Sequence, residues 1–217
     1  MEWELDGGKY SGVEIHQAGK AHRVGGHRVK AQSVMLQMQR KVTREAADSE
    51  LQRLYYEVCN ETSGQSDKGT YHSYIAFYAG FMRKDASILE IGATPASMAL
   101  WRRYFTGDVV AIDIARYGAP PDGVLFIQAD ATAEVAGMDG MMFDYIVDDA
   151  SHVISDQIAT FELMYPRLKP GGSYLIEDIQ DLEAFREQFP RGVVHDLRAE
   201  RTFAPDNIII EIGKEVS

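Results

Sequence analysis

From residue 87 onward, short apolar and β-branched runs alternate with stretches in which apolar residues recur every third or fourth position. Continuous or period-two apolar runs bounded by turn residues signal strands, whereas i, i+3, i+4 spacing signals an amphipathic helix. On this basis strands are predicted at residues 87–91, 109–112, 124–127, 145–147, 174–176, 193–197 and 208–212. Helices are predicted at residues 71–82, 96–104, 154–168 and 182–188. Strands separated by helices need crossover connections, and these build a parallel sheet covered on both faces. Residues 198–206 are too few for a crossover helix, so the last two strands should pair antiparallel. The expectation is an α/β, Rossmann-like fold with a seven-stranded, mostly parallel sheet whose last strand is antiparallel.

Upstream the rhythm differs. Val34, Met35, Met38 and Val42 fall at helical spacing within residues 33–44, and a second helix carries Leu51, Leu54, Tyr55 and Val58. Asp48 or Ser49 would cap that second helix. Residues 1–30 hold Gly7-Gly8, Gly19 and Gly25-Gly26 among scattered charges with no sustained period, which predicts an irregular arm or hairpin. The organisation expected is an N-terminal segment of arm and helices at 1–60, suited to a lid or an oligomer contact, and one αβ domain at 61–217.

Charge narrows the partners. The net charge is −11, yet residues 1–45 carry 8 basic against 5 acidic residues, leaving 14 basic against 28 acidic for the remainder. So acidic a body repels phosphate backbones, and no nucleic-acid partner is expected. Cys59 is the single cysteine, which excludes an internal disulfide and any CxxC pair and fits a reducing cytoplasm. No apolar stretch approaches the roughly 20 residues that span a bilayer, and Met1–Asp6 has neither the basic start nor the apolar run of a secretory signal. A cytoplasmic protein with a small-molecule partner, no membrane partner and a homo-oligomeric assembly is expected.

The carboxyl ends of the predicted strands carry the chemistry. In an open αβ sheet a ligand lies beyond those ends, at the point where strand order reverses. There the chain places Glu90 and Gly92, then Asp113, then Asp130. A glycine permits close backbone approach to a ligand, Asp113 could accept both hydroxyls of a ribose, and Asp130 an adenine amino group. Gly92 stands alone, followed by Ala93, Thr94, Pro95, Ala96 and Ser97, so the G-x-G-x-x-G cradle for a pyrophosphate is missing. This favours a nucleoside cofactor without phosphate, S-adenosylmethionine, over a dinucleotide.

Two further strand ends read Asp148-Asp149-Ala150-Ser151-His152 and Glu177-Asp178. Adjacent parallel strands would bring four carboxylates and an imidazole into one region, where like charges repel unless a cation intervenes. Oxygen-only ligands favour a hard ion, and three carboxylates with positions left open suit Mg²⁺. Asp149, Glu177 and Asp178 are the candidate ligands. His152 suits a general base better, since an imidazole accepts a proton near neutrality.

The segments Ser66-Asp67-Lys68-Gly69-Thr70-Tyr71-His72-Ser73-Tyr74, Ile88-Leu89-Glu90-Ile91-Gly92, Val147-Asp148-Asp149-Ala150-Ser151-His152 and Leu168-Lys169-Pro170-Gly171-Gly172-Ser173-Tyr174-Leu175-Ile176-Glu177-Asp178-Ile179-Gln180 resemble one family. They are similar to the metal-dependent class I sugar O-methyltransferases of macrolide biosynthesis, of the mycinamicin and demethylmacrocin type. The resemblance runs from about Ser66 to Gln180 and weakly over the C-terminal strands. It implies a methyltransferase using S-adenosyl-L-methionine and Mg²⁺ on a sugar hydroxyl of a glycosylated natural product or nucleotide sugar, with Asp149, Glu177 and Asp178 as metal ligands and His152 as base. It also implies that the Asp-Lys-Gly-Thr loop, through Thr70, with Tyr74 borders the methionine end of the cofactor. Glu90, Gly92, Asp113, Asp130 and Asp148, at the strand ends, complete the expected cofactor-binding set. The chain departs from the pattern at Pro95 and Ala96, where the family keeps further glycines, and in its first 60 or so residues. Methylation of another vicinal diol, catechol-like or polyketide, and a non-catalytic methyltransferase-like binding protein are the alternatives.

Overall fold

The strand order of the central sheet creates the switch point that the sequence pattern anticipates. In the computed structural model the sheet elements are β5 (Ile88–Ile91), β6 (Val109–Asp113), β7 (Val124–Gln128), β8 (Phe143–Asp148), β9 (Leu168–Ile176), β10 (Val193–Asp196) and β11 (Ile208–Gly213). They lie in the order β10-β11-β9-β8-β5-β6-β7, so the chain steps outward from β5 in one direction, then returns to β8 on its other side. β5, β6, β7, β8 and β9 pair parallel, while β11 pairs antiparallel with both β9 and β10, the reversal expected of the last strand. Every parallel strand therefore delivers its carboxyl end to one edge of the sheet.

The structure describes the backbone of residues 2–5, 8–11, 21–24 and 27–30, and all of residues 49–62 and 66–216. It divides into two compact units, Met1–Ala47 and Asp48–Ser217. In the first, β1 (Glu2–Leu5) pairs antiparallel with β2 (Gly8–Ser11), and β3 (Ala21–Val24) with β4 (His27–Lys30). The described parts of the arm thus form two antiparallel strand pairs, with Leu5 opposite Gly8 and Val24 opposite His27. The helix predicted at 33–44 lies outside the described residues.

In the second unit, α1 (Glu50–Glu61) is capped by Ser49, whose side chain accepts from the Gln52 amide. It buries Leu51, Tyr55, Val58 and Cys59 against α2 (Tyr74–Phe81) and α3 (Pro95–Tyr104) on one face of the sheet. This helix, grouped with the N-terminal arm by the sequence pattern, packs inside the larger unit. The other face is covered by α4 (Ile154–Met164) and α5 (Leu182–Gln188), through Met164, Phe185 and the partly buried Phe161. Alternation along β5 feeds both layers, with Ile88 in the first and Leu89 and Ile91 in the second.

Two helix boundaries differ from the sequence pattern, and the strand expected at 174–176 already begins at Leu168. The helix expected at 154–168 ends at Met164 and passes through a short 3₁₀ turn, Tyr165–Arg167, because Pro166 cannot supply the next helical amide. The helix expected from residue 71 begins at Tyr74, because the amides of Thr70, Tyr71 and His72 all donate to the carbonyl of Asp67, each at 3.0 Å. That carbonyl ties residues 67–72 into a tight loop, and the loop builds one wall of the site.

Candidate active site

The loop from Ser66 to Ser73 is held from beneath by α1. Tyr55 Oη donates to the Ser66 carbonyl at 2.9 Å, and a Cβ on Gly69 would come within 2.6 Å of the Tyr55 ring. Placed there, the loop sends Lys68 across the carboxyl ends of β5, β8 and β9. Its ammonium lies 2.5 Å from Asp149 Oδ2, 2.6 Å from Glu177 Oε2 and 3.4 Å from Glu90 Oε1, and the residue is 2% exposed. Burial alone would lower the Lys68 pKa, but Asp149, Glu177 and Glu90 together raise it well above the usual lysine value. Burial in turn raises the carboxyls of Glu177 and Glu90, with Lys68 opposing the rise in each.

Two tyrosines one helical turn apart on α2 engage the acid pair that ends β9. Tyr74 Oη donates to Asp178 Oδ1 at 2.7 Å, and Tyr78 Oη donates to Glu177 Oε1 at 2.5 Å. The Tyr74 oxygen also accepts from the Asp178 amide at 3.2 Å. Burial, followed by the nearby Asp149, pushes the Asp178 carboxyl up to about 6.

The structure brings Asp149, His152 and Asp178 together: one donor atom from each lies within 4.8 Å of the others. His152 Nε2 is 3.5 Å from Asp178 Oδ2 and 3.9 Å from Asp149 Oδ1. His152 and Asp178 also have φ of 57° and 58°, and among the described residues they are the two non-glycine positions with positive φ. Side chains avoid that region, and such strain concentrates at functional sites. Glu177 stands apart from this trio, because Lys68 and Tyr78 occupy its two oxygens.

A second group, His72, Asp178 and Asp206, has the same compactness but another character. His72 Nε2 lies 3.2 Å from Asp206 Oδ1 and 3.4 Å from Asp178 Oδ1. Burial works against its charge, yet the hydrogen bond to Asp206 and the field of Asp178 and Asp67 raise its pKa to about 9. So raised, His72 pairs as a counter-ion with Asp206 and Asp178.

The remaining predicted residues line the edge next to the switch point. Glu90 and Asp148 are buried, and both oxygens of Glu90 and Oδ1 of Asp148 lack a hydrogen-bond partner. Burial raises the Asp148 carboxyl to about 7, partly offset by the Tyr174 hydroxyl on its Oδ2 at 3.2 Å. Asp113 uses Oδ1 to accept from the Ala115 amide at 2.6 Å. Asp130 is exposed and turns back on Thr132, whose amide and hydroxyl donate to it at 2.9 and 2.6 Å. Thr70 is buried, and its hydroxyl donates to the Ser66 carbonyl at 3.4 Å, inside the loop. Gly92 has φ of 83° and packs against the backbone of Asp149.

The departure at Pro95 and Ala96 has a local reason. Thr94 caps α3, its side chain accepting from the Ser97 amide while Ser97 Oγ accepts from the Thr94 amide, and Pro95 opens the first turn. This is a capping box with proline where no amide is needed. Lys68, His72, Tyr78 and Asp206 are members of the site that residue-by-residue sequence reasoning does not single out. The signal for Tyr78 is its spacing of four from Tyr74; Lys68 and His72 lie in the Ser66–Tyr74 segment of the resemblance, but their roles, like that of Asp206, show only in the fold.

This sheet, with its reversed β11 between β9 and β10, is the class I methyltransferase fold. A solved structure of the mycinamycin-pathway methyltransferase MycE in complex with Mg and SAH matches it with a TM-score of 0.55 at 18% identity, over 74% of this chain and 54% of that one. Within that class, sequence similarity leads to sugar O-methyltransferases. The 8-demethyl-8-alpha-L-rhamnosyl tetracenomycin-C 2'-O-methyltransferase of Streptomyces olivaceus is 34% identical over 134 residues, 53% of this chain and 35% of that protein. The L-olivosyl-oleandolide 3-O-methyltransferase of Streptomyces antibioticus is 33% identical over 139 residues, 52% of this chain and 34% of that protein. The chain spans about a third of the length of these curated relatives. No protein-family model matches the chain. Among the described residues, no helix is long and apolar enough to cross a membrane.

Proposed function

We propose that this chain transfers the methyl group of S-adenosyl-L-methionine to a sugar hydroxyl, on a glycosylated natural product or nucleotide sugar, with the help of Mg²⁺. The observation that carries this reading is the trio Asp149, His152 and Asp178, converged at the ends of β8 and β9 with two of its members in left-handed backbone. The donor set fits a hard divalent cation: Asp149 and Asp178 supply carboxylate oxygens, and Glu177 would join them on release from Lys68. Bound there, such an ion supplies Lewis acidity and orients the acceptor hydroxyl.

The residues then divide the work. The free oxygen of Asp113 is available to the ribose hydroxyls of the cofactor, Asp130 to its base, and Glu90 through Oε2 and Asp148 through Oδ1 to its amino group and sugar, beside Gly92, Thr70 and Tyr74. His152 Nε2 takes the hydroxyl proton as the acceptor oxygen attacks the methyl carbon. The carbon–sulfur bond breaks with its electrons to sulfur, leaving S-adenosylhomocysteine.

Residues 1–47, the part of the expected 1–60 segment outside the larger unit, are read as a lid or oligomer contact, and the enzyme as a cytoplasmic homo-oligomer with a small-molecule partner and no nucleic-acid or membrane partner. The test is calorimetry with S-adenosylmethionine together with methyl transfer to a panel of glycosides, with and without chelator. Failure to bind the cofactor, or transfer undiminished in chelator, overturns the reading.

A further inference from the structure

Lys68 occupies a position that the proposed reaction does not use. A buried ammonium is tolerated where its charge is paired and its three protons find acceptors. Here Asp149 Oδ2, Glu177 Oε2 and Glu90 Oε1 surround it at 2.5, 2.6 and 3.4 Å. Tyr78 takes the other oxygen of Glu177, so this carboxylate has no oxygen free of a protein partner. Asp149 keeps Oδ1 for the trio with His152 and Asp178. Two of the three carboxylates assigned to the metal are thus already held by a cation that belongs to the chain.

We propose that Lys68 is a positioning residue that acts as a built-in rival of the metal, sharing Asp149 and Glu177 with it and so setting its affinity. This rests on the reading that a divalent cation binds at Asp149 and Asp178. The ammonium keeps the clustered acids from repelling one another while the ion is away. When an ion arrives, the same positive charge opposes it, and Glu177 is gained as a ligand at the expense of its bond to Lys68. Binding therefore stays readily reversible, and the carboxylates are prearranged at its start.

A purely structural lysine and a rival cation make opposite predictions. Lys68→Met keeps an unbranched side chain only one atom shorter and removes the charge, leaving the cluster one unit more negative. If Lys68 were merely structural, its loss would lower stability and loosen metal binding together. As a rival, its loss lowers the melting temperature of the metal-free protein but tightens divalent binding, by about tenfold, because a like charge has been removed. The experiment counts free Mn²⁺ by electron paramagnetic resonance over the full-length wild type and Lys68→Met. A dissociation constant in Lys68→Met that equals or exceeds that of wild type overturns the role of Lys68 and leaves the metal site standing. A wild type that binds no Mn²⁺ removes the metal site, and the proposal with it. Should Lys68→Met fail to fold, wild type labelled with ¹⁵N at the lysine side chains decides the matter. The slowly exchanging ammonium resonance of Lys68 is expected to shift on saturation with Mg²⁺, and a resonance that does not move overturns the proposal.

Discussion

Gly92 lies so close to Asp149 that a Cβ on residue 92 would sit 2.0 Å from the Asp149 carbonyl oxygen. The amide of Asp149 in turn donates to the Ile91 carbonyl at 2.9 Å, so the backbone after β5 and the backbone after β8 are in direct register. Gly92→Ala would meet backbone atoms at a φ of 83°, and neither can yield as a side chain does. The expected loss is about 3 kcal/mol or more in chemical denaturation. Because Asp149 must move, Mn²⁺ affinity should fall as well. A stability within 0.5 kcal/mol of wild type, on the order of a neutral surface change, would show that the two segments are not locked.

Asp113 ends β6 with one oxygen committed to Ala115 and the other without a protein partner. Asp113→Ala is expected to weaken S-adenosylmethionine and S-adenosylhomocysteine alike, since both carry the ribose. Titration calorimetry reads the change, and unaltered affinity would take Asp113 out of the site.

His152 and the acids should separate by their response to metal. A positioned base contributes about 10²–10⁴-fold in rate, so His152→Ala should lower kcat by that order while cofactor affinity holds. Asp149→Asn and Asp178→Asn should lose metal affinity as well as rate, and excess Mg²⁺ should partly rescue both. If excess Mg²⁺ returns His152→Ala to near wild-type turnover, the imidazole is a ligand, as its place within 4.8 Å of both acids permits.

Asp144 ties the opposite edge of the sheet together, and its charge makes that tie sensitive to pH. It accepts from the Ser87 amide at 2.8 Å, the Ser87 hydroxyl at 2.9 Å and Lys169 Nζ at 2.8 Å. Burial raises its pKa, but the bonds from Lys169 and Ser87 outweigh that and leave it below the usual carboxylate value. A carboxyl whose pKa is depressed in the fold stabilises fully above the unfolded value of about 3.9, and loses this as pH falls through the folded value. Asp144→Ala should therefore cost about 1–3 kcal/mol at pH 7, leaving the Ser87 donors unpaired, and less near pH 3. Denaturation at both pH values checks this, and an equal loss at the two would refute the ionic part.

The sheet was legible because strands and helices alternate with distinct periods, and the segment between the last two strands is too short for a crossover. Asp149, His152 and Asp178 were legible because adjacent parallel strands must end together, which needs no knowledge of side-chain direction. Glu177 shows where such reasoning stops. Its neighbour Asp178 points to His72, His152 and Tyr74, while Glu177, one residue earlier, points to Lys68 and Tyr78. Both follow the last strand residue, Ile176, and the left-handed backbone at Asp178 turns its side chain in a direction that no periodicity reports. Lys68 and His72 were hidden for a different reason. The groups they hydrogen-bond, Asp149 and Glu177 for Lys68 and Asp206 for His72, lie between 81 and 134 residues away along the chain, so only the folded loop reveals the pairing.

The hydroxyls of Tyr74 and Tyr78 have a meaning for how chains of this kind can diverge. Each is buried and each spends its proton on one acid of the pair that ends β9. A descendant that discarded Glu177 and Asp178 would strand the Tyr78 phenol in the interior, at a cost of about 1–3 kcal/mol, and leave Tyr74 only the Asp206 carbonyl at 3.0 Å. One that replaced the tyrosines by phenylalanine would leave two buried carboxyls short of a donor. The four residues therefore form a unit of inheritance, and the acids should change only in company with the helix that faces them.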